Sequence, residues 1–330
     1  PGHMIDIVAP AELECDRLIV LGRGADSELS GLPAWASRGG SLMAKLETLG
    51  VSQAAVVLDE PDLDAQKVAE LAAGVKLRHY RFDKYRTIPK NGTPRPASLS
   101  VTLHIGRIED ADAVLADRMA VAEGTIMARN LVNEPPNTLG PVEFAGIASR
   151  LSDFGVTVEV LTPDEMAELG MGALLAVGQG SERPARLVVM RWDGGKKGDA
   201  PIAFVGKGVV FDTGGISIKP GLSMEDMKGD MGGAAAVTGL MRTLAQRKAK
   251  VNAVGVLGLV ENMPDGRAYR PGDIVTAMSG KTIEIVVAAP EQHEGRPLVL
   301  PVGGVRFARS NAILFARRPC GQGGEDRHEG

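Results

Sequence analysis

The pattern of apolar and polar positions predicts short strands alternating with amphipathic helices along most of the chain. In the first part, the apolar runs Leu18-Ile19-Val20-Leu21 and Ala54-Ala55-Val56-Val57-Leu58 predict strands. Helical spacing over residues 64–73 and 111–123 predicts helices. Such alternation predicts a small α/β domain with a mostly parallel sheet. Arg38-Gly39-Gly40 offers a glycine pair, but no full glycine fingerprint follows a strand there, so it reads as a loop rather than a phosphate cradle.

The helix that begins near residue 111 is rich in small and apolar residues and continues to about 131. The paired prolines of Asn133-Glu134-Pro135-Pro136-Asn137 stop it. It sets the expected boundary between an N-terminal α/β domain, 5–120, and a larger C-terminal α/β domain, 121–330. In the second, strands are predicted at 156–161, 186–191 and 202–205, with helices at 163–169 and 234–245. Continuous apolar runs such as these fit strands buried on both faces.

Composition narrows the picture only slightly. A chain of 330 residues has room for two domains, and 44% hydrophobic residues fit a soluble globular protein. A net charge of −4 gives no electrostatic reason to expect nucleic acid or an anionic membrane as the main partner. The two cysteines, Cys15 and Cys320, can build neither a disulfide framework nor a cysteine-based zinc site, and cytoplasm is the expected compartment. Pro1-Gly2-His3-Met4 resembles a cloning scar, so His3 is kept out of the site argument.

Candidate chemistry concentrates after the strand at 202–205, in Gly206-Lys207-Gly208-Val209-Val210-Phe211-Asp212-Thr213-Gly214-Gly215, with Lys219 just beyond. A polar loop then leads to Met227-Lys228-Gly229-Asp230-Met231-Gly232-Gly233 and a small-residue helix, which sets Asp230 near a helix N-terminus, where negative charge is favoured. Ser279-Gly280-Lys281-Thr282 imitates the end of a P-loop, but Val275 stands where the motif needs glycine, so it reads as a turn between strands. Arg267 and Tyr269 read equally as loop braces or substrate contacts.

The stretch 205–233 is similar, almost residue for residue, to the signature of the leucyl aminopeptidase (cytosol aminopeptidase) family. So are Glu261-Asn262-Met263-Pro264-Asp265-Gly266-Arg267-Ala268-Tyr269-Arg270-Pro271-Gly272-Asp273 and Met278-Ser279-Gly280-Lys281-Thr282-Ile283-Glu284. The resemblance covers about residues 125–286. It implies a small N-terminal α/β domain and a larger metallopeptidase domain with a central mixed sheet. It also implies two divalent ions, manganese or zinc or magnesium, held by Lys207, Asp212 and Asp230, with Asp212 bridging them. Lys219 would be catalytic, polarising the scissile carbonyl. Peptides with a free N-terminus, leucine-like at that end, would be the substrates, and a homo-hexamer the assembly.

Beyond Glu284 the family continues with two apolar residues and then Asn-Thr-Asp-Ala-Glu-Gly-Arg, which supplies two further carboxylate ligands and a catalytic arginine. This chain reads Ala288-Ala289-Pro290-Glu291-Gln292-His293-Glu294-Gly295-Arg296. One register keeps Glu294 as a metal ligand and Arg296 as catalytic, with three inserted residues and Gln292 in place of the aspartate. The other makes Glu291 the ligand and puts Ala289 and His293 where aspartate and arginine belong. We prefer the first, because Leu298-Val299-Leu300 also matches the next residues of the family pattern. Either way one carboxylate is replaced, which predicts at most one well-held ion, bound by Lys207, Asp212, Asp230 and Glu294. A change of reading frame within Gln292-His293 would account for the departure. Two functions are expected: a metal-dependent aminopeptidase, or an impaired or inactive relative that keeps a peptide-binding or assembly role.

Overall fold

Proline and glycine mark the two ends of the first helix, where the backbone rules favour them. The computed structural model describes residues 4–22, 31–59, 62–88 and 99–286, and the backbone of 298–300. These fall into two compact units: 1–134 with 153–156 and 238–249, and 135–152 with 157–237 and 250–330.

In the first unit, β1 (Met4–Val8) and β2 (Arg17–Leu21) form an antiparallel pair. Helix α1 (Leu32–Leu49) carries Pro33 in its first turn and closes on Gly50, whose left-handed backbone returns its N–H to the carbonyls of Leu46 and Glu47. Helix α2 (Ala65–His79) is capped by Asp64, whose carboxylate accepts the Lys67 N–H at 2.8 Å. Between and after these lie β3 (Gln53–Leu58) and β4 (Ser100–Ile105), paired in parallel. The parallel arrangement expected of this part is therefore present in one pair, alongside an antiparallel one.

Arg38, Gly39 and Gly40 lie inside α1, which corrects the reading of them as a loop. A Cβ on Gly39 would collide with the Leu71 carbonyl of α2, and one on Gly74 with the Ala36 carbonyl of α1. The glycines are there because two helix backbones touch, and Trp35, Leu42, Met43 and Leu46 supply the buried face of α1. Helix α3 (Ala111–Asn133) crosses the later part of helix α7 (Gly232–Gln246) in the same way, with Gly124 against Gly239.

The second unit holds the expected central mixed sheet, in the order β11-β7-β8-β6-β5. Its strands are β5 (Thr157–Leu161), β6 (Arg186–Asp193), β7 (Ile202–Asp212), β8 (Asn252–Asn262) and β11 (Leu298–Leu300). Only β7 and β8 run parallel. Helices α4 (Pro141–Ser149), α5 (Pro163–Glu168) and α6 (Gly172–Gly178) belong to this unit. Met166, Leu174, Leu187 and Val260 share one core cluster, and burying a side chain of this size stabilises by about 1.5–3 kcal/mol. A hairpin of β9 (Ile274–Thr276) and β10 (Thr282–Glu284) turns through Gly280 at φ +78, so the Ser-Gly-Lys-Thr run is the expected strand-to-strand turn. Among the described residues no helix is long and apolar enough to cross a membrane.

Candidate metal and catalytic site

Strand β7 does not end at Val205, as its apolar run suggested, but continues to Asp212. Its glycines belong to the strand because the start of α7 lies directly on it. A Cβ on Gly206 would stand 2.6 Å from the Ala234 Cα, and one on Gly233 only 3.0 Å from the Lys207 nitrogen. That close approach brings Asp230, two residues before α7, against Lys207. Lys207 Nζ lies 2.8 Å from Asp230 Oδ1. Residues 224–229, just before it, form a 3-10 helix.

A bulge solves a problem of parity. Lys207 and Asp212 are five residues apart, and in a regular strand an odd separation puts side chains on opposite faces. On β8, however, their partners are Gly258 and Asn262, four apart, because the register shifts between Val209 and Asp212. The extra residue on β7 turns Asp212 to the same side as Lys207, the re-aiming for which bulges next to sites are used.

After Asp212 the chain reverses through Gly214 and Gly215, both left-handed at φ +89 and +66. The Lys219 N–H returns to the Thr213 carbonyl at 2.8 Å, which brings the Lys219 ammonium back over the strand end. Its Nζ donates to Asp212 Oδ2 at 2.8 Å and to Met227 Sδ at 3.2 Å. Asp212 Oδ1 accepts from the Gly214 N–H at 2.9 Å and from Asn262 Nδ2 at 2.7 Å. Four of the six residues singled out from the sequence, Lys207, Asp212, Lys219 and Asp230, are thus assembled as two lysine–carboxylate pairs. Glu294 and Arg296 lie outside the described residues.

The two carboxylates differ. Burial is the largest influence on Asp212 and raises its pKa, but Lys219, the Gly214 N–H and Asn262 together outweigh it and hold the group below the usual carboxylate range. Burial is also the largest influence on Asp230, and there it prevails: its pKa is raised, with the Asp212 charge adding to the effect and Lys207 opposing it. Asp230 Oδ2 is buried without a hydrogen-bond partner. A buried acceptor left open in this way, beside a second carboxylate, suits a hard divalent cation. Among the described residues no group of three or more His, Cys, Asp or Glu could hold a metal, so Lys207, Asp212 and Asp230 are a partial donor set.

Sequence reasoning assigns no role to Asn262 or Met227, although both lie within the family signature. Arg267 has a brace, with its backbone N–H on Asp265 Oδ1 at 2.8 Å and its Nε at 3.3 Å. Tyr269 is half-buried, and burial followed by the charge of Asp212 raises its pKa, which puts the phenol within electrostatic reach of the site.

Residues 126–300 match the catalytic-domain model of the cytosol aminopeptidase family, and residues 1–89 match the family's N-terminal-domain model. The chain belongs to the cytosol aminopeptidase family. The catalytic match begins where the resemblance in sequence begins and runs past residue 286 to 300. A probable cytosol aminopeptidase of Rhizobium etli is 56% identical over 285 residues, and one of Agrobacterium fabrum 55% identical over 285. Each alignment covers 86% of this chain and 57% of the relative, so the chain spans little more than half the length of these relatives. Among solved structures, the bottromycin maturation enzyme BotP in complex with Mn superposes with a TM-score of 0.73 at 31% identity, over 86% of this chain and 59% of BotP.

Proposed function

We propose that this chain is a metal-dependent aminopeptidase that releases N-terminal, leucine-like residues from peptides. Residues 121–330 would form its catalytic part, and residues 5–120 an N-terminal domain. The observation that carries the reading is the pair of half-buried lysine–carboxylate contacts, one with an open carboxylate oxygen, in a chain of this family. BotP, a relative by fold and sequence, is described with Mn, which favours manganese as the first ion to test. Lys207, Asp212 and Asp230 would hold the metal, with Glu294 a further ligand. Divalent ions bound there supply Lewis acidity and orient the free amine of the peptide.

The chain's own residues do the rest. An ammonium group has three donors, so Lys219 can keep its bond to Asp212 Oδ2 and still offer a proton to the carbonyl oxygen that gains charge as the peptide is attacked. Arg296 would share that charge. The glycines at 214 and 215 let the loop carrying Lys219 fold back on the strand without a side chain in the way. A cytoplasmic homo-hexamer is the assembly we propose, by analogy with the family.

One observation favours the second reading, an impaired member with a peptide-binding or assembly role: in either register of residues 288–296 one carboxylate of the family pattern is replaced, by Gln292 or by Ala289. Hydrolysis of leucine p-nitroanilide with added Mn2+, measured beside metal content per chain, separates the two. Turnover that depends on Mn2+ is the expected result. No turnover, with at most one ion bound per chain, sinks the enzyme reading and leaves the impaired one.

A further inference from the structure

We propose that Asn262 is a positioning residue that aims Asp212, an inference that rests on the metallopeptidase reading for its functional sense. Asn262 ends β8 and is only 6% exposed. Its Nδ2 donates to Asp212 Oδ1 at 2.7 Å. A carboxylate oxygen can only accept, so this contact fixes which end of the amide is nitrogen. The Gly214 N–H reaches the same oxygen at 2.9 Å. Oδ1 of Asp212 is thus held by two neutral donors, and Oδ2 is the oxygen presented to the centre of the site, where Lys219 meets it.

The other end of the amide shows that this is more than a brace for the fold. A buried carboxamide used only to hold structure would satisfy both its ends, because an unpaired buried polar atom is costly. Asn262 Oδ1 is buried and has no partner. It faces Gly215, where a Cβ would stand 2.8 Å away. The side chain therefore accepts an unsatisfied oxygen in order to keep its nitrogen on Asp212.

The main chain locks the arrangement. The Asn262 carbonyl takes both the Thr213 N–H at 3.0 Å and the Thr213 Oγ1 at 2.8 Å, and Asn262 is the β-partner of Asp212 across the bulge. Backbone register and side-chain bond converge on one carboxylate. The phenol of Tyr269 feels both the Asn262 side chain and the Asp212 charge.

Two measurements on the whole chain, wild type and Asn262→Ala, test this. The dipeptide Thr-Gly occurs twice, at 213–214 and 238–239, so labelling threonine carbonyls with 13C and glycine nitrogens with 15N selects two amide peaks by NMR. Released from Asn262, Asp212 is expected to loosen its bond to the Gly214 N–H, which shifts that peak while Gly239 stays in place. Mn2+ affinity, read by EPR of the free ion, is expected to fall about 10- to 100-fold, as loss of a ligand's hydrogen-bond partner typically costs. An unmoved Gly214 peak overturns the proposal, and so does unchanged Mn2+ affinity in a wild type that binds the ion. If the wild type takes up no Mn2+, the metallopeptidase reading fails by itself, and the Gly214 peak alone decides whether Asn262 positions Asp212. Should Asn262→Ala not fold, Asn262→Leu keeps the volume, removes the donor and is read the same way.

Discussion

Glu123 in the first unit and Asp230 in the second are both carboxylates set among cations, and they answer in opposite ways. Glu123 has a cation for each oxygen: Lys76 on Oε1 and Arg242 on Oε2 at 2.5 Å. The Lys76 hydrogen bond is the main reason its pKa lies below the ordinary range. Asp230 has only Lys207 on one oxygen and nothing on the other, and burial pushes its pKa up. In the first case charge serves the fold. In the second it is held at a cost to the fold, the signature of a group kept for another purpose.

The sharpest way to break the comparison is through the lysines. Lys219→Ala is expected to lower kcat for leucine p-nitroanilide by about 100- to 1,000-fold, the loss typical of one donor to a developing oxyanion, with little change in the unfolding midpoint. Lys76→Ala is expected to do the reverse, lowering the midpoint and leaving hydrolysis intact. Steady-state kinetics and thermal melts of both variants decide it. If Lys219→Ala loses stability and keeps activity, its pair with Asp212 is structural and the contrast disappears.

The helix crossing of the first unit carries the next largest effect. A Cβ on Gly124 would collide with Thr243 Oγ1 and the Gly239 carbonyl, so Gly124→Ala forces α3 and the later part of α7 apart. Overpacking of this kind costs about 1–3 kcal/mol. Denaturant melts measure it, and Gly146→Ala is the control, since a Cβ there meets nothing within 4 Å. Equal midpoints for the two variants would show that the crossing yields freely.

These residues also show what a sequence can and cannot disclose. Lys207, Asp212, Lys219 and Asp230 were legible because they fall within one run of 24 residues that carries the family signature. The strands and α3 were legible from apolar runs and paired prolines, whereas the mixed sheet was expected from the family resemblance alone. Asn262 was not, because its role comes from the register of β8 against β7 and from a bulge that no local pattern announces. Gly39 misled for a related reason: the glycine signal for a loop is local, whereas its actual cause, the Leu71 carbonyl of another helix, is 32 positions away.

The smallest effect tests the comparison most directly, because its sign is at stake. The folded pKa of Asp230 lies above its ordinary value of 3.8, so its contribution to stability is fully present below that value and is lost as pH rises through the folded pKa. Well above that value, without metal, the carboxylate's charge is therefore a burden on the fold. Asp230→Asn is expected to raise the unfolding midpoint of chelator-treated protein by about 1–3 °C at pH 7, with the gain shrinking as pH falls towards 4. Glu123 is depressed below its ordinary value of 4.5, so its stabilisation is present above that value and lost as pH falls through the folded pKa. Glu123→Gln should accordingly lower the midpoint at pH 7. Added Mn2+ should reverse the order for Asp230 alone, since an ion that binds the folded wild type stabilises it by mass action while the variant has lost a ligand. A chelator-treated Asp230→Asn chain that melts below wild type at pH 7 would mean that Asp230 serves the fold just like Glu123, and that the open oxygen is held for nothing.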